Sequence, residues 1–209
     1  MTLAPADGDA LTADGEPVRG PIALQTDADG SATLLELGPL NFFVVKRGDK
    51  LGLRVRDRQA KLRTEFPGLD YFSADPRWRV EARFTPSPDG TTLPVANILG
   101  DIDQMPSPGT LTFTLAGDEH SLVALDDTGD GRLFMIVGDR TNSIETYGAG
   151  RYLYTDPPED GRVTIDFNRL YNMPCAFTAF STCQLPPRRN RMPIRIEAGE
   201  KKFVAPGHP

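Results

Sequence analysis

Apolar and polar side chains alternate with a period of two along much of the chain. Trp78, Val80, Ala82 and Phe84 interleave with Arg77, Arg79, Glu81 and Arg83, and Leu111, Phe113 and Leu115 with Thr110, Thr112 and Thr114. Val163, Ile165 and Phe167 interleave with Arg162, Thr164 and Asp166. This rhythm turns the apolar side chains to one face of a β-strand and the polar ones to the other. Similar patterns predict strands over 32–37, 40–46, 51–56, 93–99, 121–125, 132–137 and 192–197. Turn chemistry separates them: Arg47-Gly48-Asp49-Lys50, residues 126–131, and Pro86-Ser87-Pro88-Asp89-Gly90. Residues 57–66 form the one fair helix candidate, and a short one.

Strands recurring every ~10–15 residues with tight turns predict an all-β fold with little helix. The expected form is a single antiparallel barrel or sandwich of about ten strands. The expected organisation is a loose lead-in over 1–20, one β domain over 21–204 and a tail over 205–209. Alternation weakens after Phe167. Asn172-Met173-Pro174 and Leu185-Pro186-Pro187 predict extended, irregular chain, because a residue before proline avoids the helical region. A long irregular segment in a compact domain is more often functional than an ordinary connection.

Composition narrows the function classes. The 209 residues include 20 Gly and 19 Pro, too few for a disordered chain, and carry a net charge of −6. That acidic balance argues against nucleic acid as a partner. Arg54, Arg56 and Arg58 read as a solvated strand edge among nearby acids. No apolar run has the length of a membrane span, and residues 1–20 lack the basic start and apolar core of a secretory signal. A soluble, cytoplasmic protein without a membrane partner is expected. Oligomeric state is not legible. Cys175 and Cys183 are too few for a disulfide scaffold and are expected as buried free thiols.

Most motifs are missing. There is no phosphate-binding loop and no Gly-x-Ser-x-Gly elbow. Gly148-Ala149-Gly150 reads as a turn. Residues 126–131 begin like a calcium loop, but Val137 stands where a bidentate Glu is needed, so a hairpin turn is expected. The spacing of Cys175 and Cys183 does not suit zinc even with His120 and His208, and a Cys nucleophile has only His120 as a base. No metal or cofactor is expected.

Asp166 and Asn168 are more suggestive, since spacing of two turns both to one strand face. In one reading they belong to a small-molecule site with hydrolase-type general acid/base chemistry. Asp166 or Glu200 is then the base, and Tyr147, Arg151, Asn168, Arg169, Asn172, Asn190, Arg191 and Lys201 bind the ligand. In the other reading the same residues form a structural hydrogen-bond network in a non-catalytic structural or protein-interaction module. The residues leave open whether the chain is an enzyme.

These stretches carry a resemblance. Gly148 to Leu153, Asp166 to Asn172, Cys175, Cys183-Gln-Leu-Pro-Pro, Asn190-Arg191 and Ala198-Gly199-Glu200-Lys201 resemble the signature of domain-of-unknown-function family 1684. Arg47-Gly48-Asp49, Leu53 to Asp57, Phe66 to Phe72 and Trp78-Arg79-Val80 extend the likeness over 35–202. Met173 and Gln184 stand where the family carries proline, and Arg189 stands where it carries glutamate, so the resemblance assigns no acid to position 189. It implies no established activity.

Overall fold

Tight turns lay out the first part of the chain. The computed structural model describes residues 2–4, 6 and 10–204. The expected 205–209 tail and residues 1, 5 and 7–9 of the expected lead-in lie outside the described residues. The chain divides into two units, Met1–Phe66 and Pro67–Pro209. The boundary falls inside the stretch expected as one domain.

In the first unit β1 (Thr2–Leu3) pairs with β4 (Ile22–Ala23). β2 (Thr12–Ala13) and β3 (Glu16–Pro17) are joined by Asp14-Gly15, whose φ angles of 50° and 87° make the left-handed turn that suits a two-residue hairpin. They lie within residues expected as a loose lead-in. β5 (Leu35–Leu37), β6 (Leu40–Arg47) and β7 (Lys50–Asp57) complete a sheet in the order β3-β2-β5-β6-β7. Its buried cluster is Leu11, Val18, Leu24, Leu35 and Val44. The helix expected over 57–66 is one turn, α1 (Lys61–Thr64), with no side-chain cap at Ala60 and no buried residue. Without a cap or an apolar face it has nothing to extend it.

The second unit holds β8 (Arg79–Pro86), β9 (Thr92–Ala96), β10 (Ile102–Pro106), β11 (Gly109–Leu115), β12 (Asp118–Ala124), β13 (Leu133–Val137), β14 (Arg151–Thr155), β15 (Arg162–Asp166) and β16 (Tyr171–Asn172). They form three antiparallel sheets: β12-β11-β8-β15, β13-β14-β16 and the β9–β10 hairpin. None of the described sheets closes into a barrel. The alternating residues of β8, β11 and β15 face one core with Leu133, Met135, Val137 and Leu153. Val95, Phe134, Ile136, Tyr152, Met173 and Cys183 form a second cluster. Consecutive residues of β13 thus serve different clusters, which explains its unbroken apolar run.

The 93–99 expectation becomes the β9–β10 hairpin, and β10 was hidden because most of its side chains are exposed. Residues 192–197 form no strand. Met192 and Ile196 are buried as the alternation predicts, but Pro193 brings no N–H to a ladder. The segment is tied instead by Met192 N to Gly138 O at 2.7 Å and Arg140 N to Ile194 O at 2.9 Å. Among the described residues no helix is long and apolar enough to cross a membrane.

Candidate functional site

The C-terminal segment is organised around Arg151, whose side chain is fully buried at the start of β14. Gly150 places it there. Its φ of 100° suits glycine, and a Cβ at this position would lie 2.6 Å from Pro186 Cγ and 2.8 Å from Val137 O. Arg151 Nη2 donates to Asp139 Oδ2 at 2.9 Å and to Ile196 O at 2.9 Å. Nη1 donates to Ala198 O and, at 3.2 Å, to Glu200 O. One guanidinium therefore binds three carbonyls of the irregular segment and one buried carboxylate. Burial holds the guanidinium below its usual pKa, and Asp139 offsets only part of that.

Asp139 is the counter-ion that the sequence reading lacked. Its carboxylate accepts from Thr141 N at 2.7 Å, Thr141 Oγ1 at 2.6 Å and Ile196 N at 3.3 Å. Both members of the Asp139–Arg151 pair have fully buried side chains. The signal lay in the sequence: Asp139 follows the apolar run of β13, Arg151 opens its partner strand, and Val137 pairs with Arg151.

Asn190 lies in a short helical turn (Arg188–Asn190) and is fully buried. Its Oδ1 accepts from Val123 N at 2.7 Å and its Nδ2 donates to Val123 O at 3.0 Å. Asn172 Nδ2 donates to Lys201 O at 2.7 Å, while Glu200 Oε2 accepts from Asn172 N at 2.7 Å and Oε1 from the Tyr71 hydroxyl at 3.2 Å. Burial and the Glu200 charge raise the Tyr71 pKa. Lys201 places its ammonium 5.0 Å from the Phe72 ring centre.

Asp166 sits elsewhere. It caps the turn Phe167–Arg169, and its Oδ1 accepts from Asn168 N at 3.0 Å and Asn168 Nδ2 at 2.9 Å. Asn168 also exchanges two hydrogen bonds of 3.1 Å with the backbone of Asp75. The strand ends at Asp166, so the two do not share a strand face as expected; Asn168 lies in the turn that Asp166 caps, and their partners are a turn and a loop rather than arginines. Tyr147 donates to Cys175 O at 3.2 Å. Arg169 and Arg191 are exposed. The structure thus brings Arg151, Asn172, Glu200 and Lys201 together and holds Asp166 with Asn168 in a separate pair. None of the ten predicted residues lines the clefts of about 470, 390, 550 and 290 Å³ in this unit.

Cys175 and Cys183 form a disulfide, with Cα atoms 6.2 Å apart. The expectation of free thiols is corrected: Cys175 lies in the 310 turn Pro174–Ala176, Cys183 O accepts from Ile98 N, and the chain between them folds back so that the two cysteines meet. Residues 126–131 are the β12–β13 turn. Asp126 Oδ1 accepts from Thr128 N and Gly129 N there, and Asp130 Oδ1 accepts from Thr128 Oγ1.

A further cluster went unseen in the sequence. Phe134 packs edge-on against Tyr152 and stacks with Tyr154, both with ring centres 4.9 Å apart. Tyr154 stacks in turn with Tyr171 and donates to Asp127 Oδ2. Burial pushes Tyr152 up to about 12, and raises Tyr154 and Tyr171 with help from Asp127.

The model of a family described as protein of unknown function (DUF1684) matches residues 64–201. The solution NMR structure of an uncharacterised protein from Haloarcula marismortui is similar at 32% identity, with a TM-score of 0.57 over 71% of this chain and 83% of that one. No curated protein matches the chain.

Proposed function

The chain belongs to the DUF1684 family of proteins of unknown function, and from that premise we propose that it is a non-catalytic, sandwich-like β module. Its polar signature is then a framework that fixes the irregular C-terminal segment. The observation that supports this most is Arg151, which spends four hydrogen bonds on Asp139 and on the carbonyls of Ile196, Ala198 and Glu200. A catalytic carboxylate needs reach to a substrate proton. Glu200 accepts hydrogen bonds at both of its oxygens, and Asp166 caps a turn through Oδ1 and lines none of the four clefts.

A small-molecule site at the signature is the second reading. It is favoured by two buried atoms without a hydrogen bond, Arg151 Nε and Asn172 Oδ1, on residues paired across β14 and β16. A thermal-shift screen of a metabolite library separates the two. The framework reading expects no compound whose stabilisation of the wild type is lost in Glu200→Gln or Asp166→Asn. One such compound, bound to well-folded protein, establishes the ligand reading instead. The Cys175–Cys183 bridge favours an oxidising compartment over the cytoplasm expected from composition. Thiol titration of denatured protein isolated from its native compartment expects none; two reactive thiols restore the cytoplasmic assignment.

A further inference from the structure

At one end of the second unit four connections meet around a cleft of about 470 Å³, a volume typical of small-molecule pockets. They are the β8–β9, β10–β11, β12–β13 and β14–β15 connections. Pro86, Pro88, Pro106, Pro108 and Pro158 line it with Phe84. The Phe84 ring lies so close to Gly109 that a Cβ there would come within 2.5 Å of it. The loops are held to one another. Ser87 N donates to Pro108 O at 2.8 Å, Ser107 N to Thr91 O at 2.9 Å, Asp126 N to Pro106 O at 2.9 Å, and Ser107 Oγ to Ala124 O at 2.9 Å. Three of the four connections are thus tied to one another or to the strands beside the cleft.

Its polar character is one-sided. The prolines bring no N–H, and the amides of Ser87, Thr91, Ser107 and Asp126 are spent within the loops. Arg132, the one guanidinium in the lining, donates to Asp130 at 2.8 Å and stacks 5.0 Å over the Tyr154 ring. Acceptors remain. Asp126 uses Oδ1 for Thr128 N and Gly129 N, while its Oδ2 accepts no hydrogen bond among the described residues. Asp89 is exposed in the same lining.

We propose that this cleft binds an organic ammonium with an apolar body. The apolar part lies against the prolines and Phe84, and the ammonium donates to Asp126 Oδ2 and Asp89. An anion would meet two carboxylates, against a single guanidinium already paired with Asp130. A neutral donor would offer the carboxylates a hydrogen bond without a compensating charge. The inference is independent of the reading of the C-terminal signature.

Heteronuclear NMR titration with benzylammonium tests it, with benzyl alcohol and benzoate as shape-matched controls. Saturable shifts at the amides of Thr91, Ser107 and Gly131 are expected for the ammonium alone, weakening as salt is added. Asp126→Asn keeps an acceptor for the turn amides, and Asp89→Asn removes no side-chain hydrogen bond or ion pair among the described residues. Each is expected to weaken binding at least fivefold with Trp78 fluorescence melts unchanged, whereas Asp166→Asn leaves the affinity as it was. Equal binding of benzyl alcohol, indifference to both cleft substitutions, or no saturable shift at millimolar benzylammonium overturns the proposal.

Discussion

Removing the carboxylate of Asp139 puts the framework under direct strain. In Asp139→Ala the fully buried Arg151 guanidinium loses its one ion pair among the described residues. Breaking a buried pair from one side costs about 3–5 kcal/mol, because a charge is left uncompensated. The amides of Thr141 and Ile196 lose their acceptor as well, each at about 1–3 kcal/mol if left unsatisfied. These effects share atoms and do not add fully, so about 4–6 kcal/mol is expected in all. Trp78 is the only tryptophan and is buried in the second unit, so its fluorescence follows the unfolding of that unit. With a urea slope of about 2 kcal/mol/M the midpoint falls by about 2–3 M. Arg151→Met alone leaves Asp139 buried without a cation. The double variant therefore costs less than the sum of the two singles, by about 2 kcal/mol or more. A loss under about 1 kcal/mol in Asp139→Ala, or strict additivity in the cycle, refutes the reasoning.

Other consequences follow the same physics. Asn190→Ala strips the partner from both backbone groups of Val123 and is expected to cost about 3 kcal/mol in the same urea assay; a change under about 1 kcal/mol contradicts the assignment. Reducing the Cys175–Cys183 bridge frees a loop of sequence separation 8. The expected loss is about 2–3 kcal/mol from loop closure, read as a lower urea midpoint with reductant. Tyr152 ionises near pH 12 in the fold against 10.0 for an ordinary tyrosine. Its contribution is therefore complete below pH 10 and is lost as pH rises from 10 through about 12. Ultraviolet difference absorbance should show it titrating late, and Tyr152→Phe should flatten the alkaline decline in stability.

β8, β11 and β15 each pack one face on a core, so their alternation was plain. The Gly48-Asp49 turn likewise marked the β6–β7 hairpin. β14 was missed because its first residue is an arginine just after Gly148-Ala149-Gly150, which looks like a turn ending in solvent. Only the pairing with β13 shows that Arg151 points inward. Asp139 was missed for the matching reason: a lone aspartate gives no sign of burial until its cation is located. Of the residues named for the signature, Arg151, Asn172, Glu200 and Lys201 come together while Asp166 and Asn168 pair elsewhere, and Asp166 and Glu200 accept from amides and a hydroxyl, a distinction that depends on loop paths rather than spacing. The disulfide was hidden for the same reason, because two cysteines in a proline-rich stretch do not disclose which way the chain folds back.

Amide hydrogen exchange in the wild type and in Arg151→Met reads the framework most directly. The amides of Ile196, Glu200 and Lys201 donate to Asp139, Leu170 and Asp70. After correction for the fall in global stability, their protection is predicted to drop at least tenfold while the β8–β11 ladder keeps its own. Protection across 196–201 that survives the loss of the guanidinium contradicts the account.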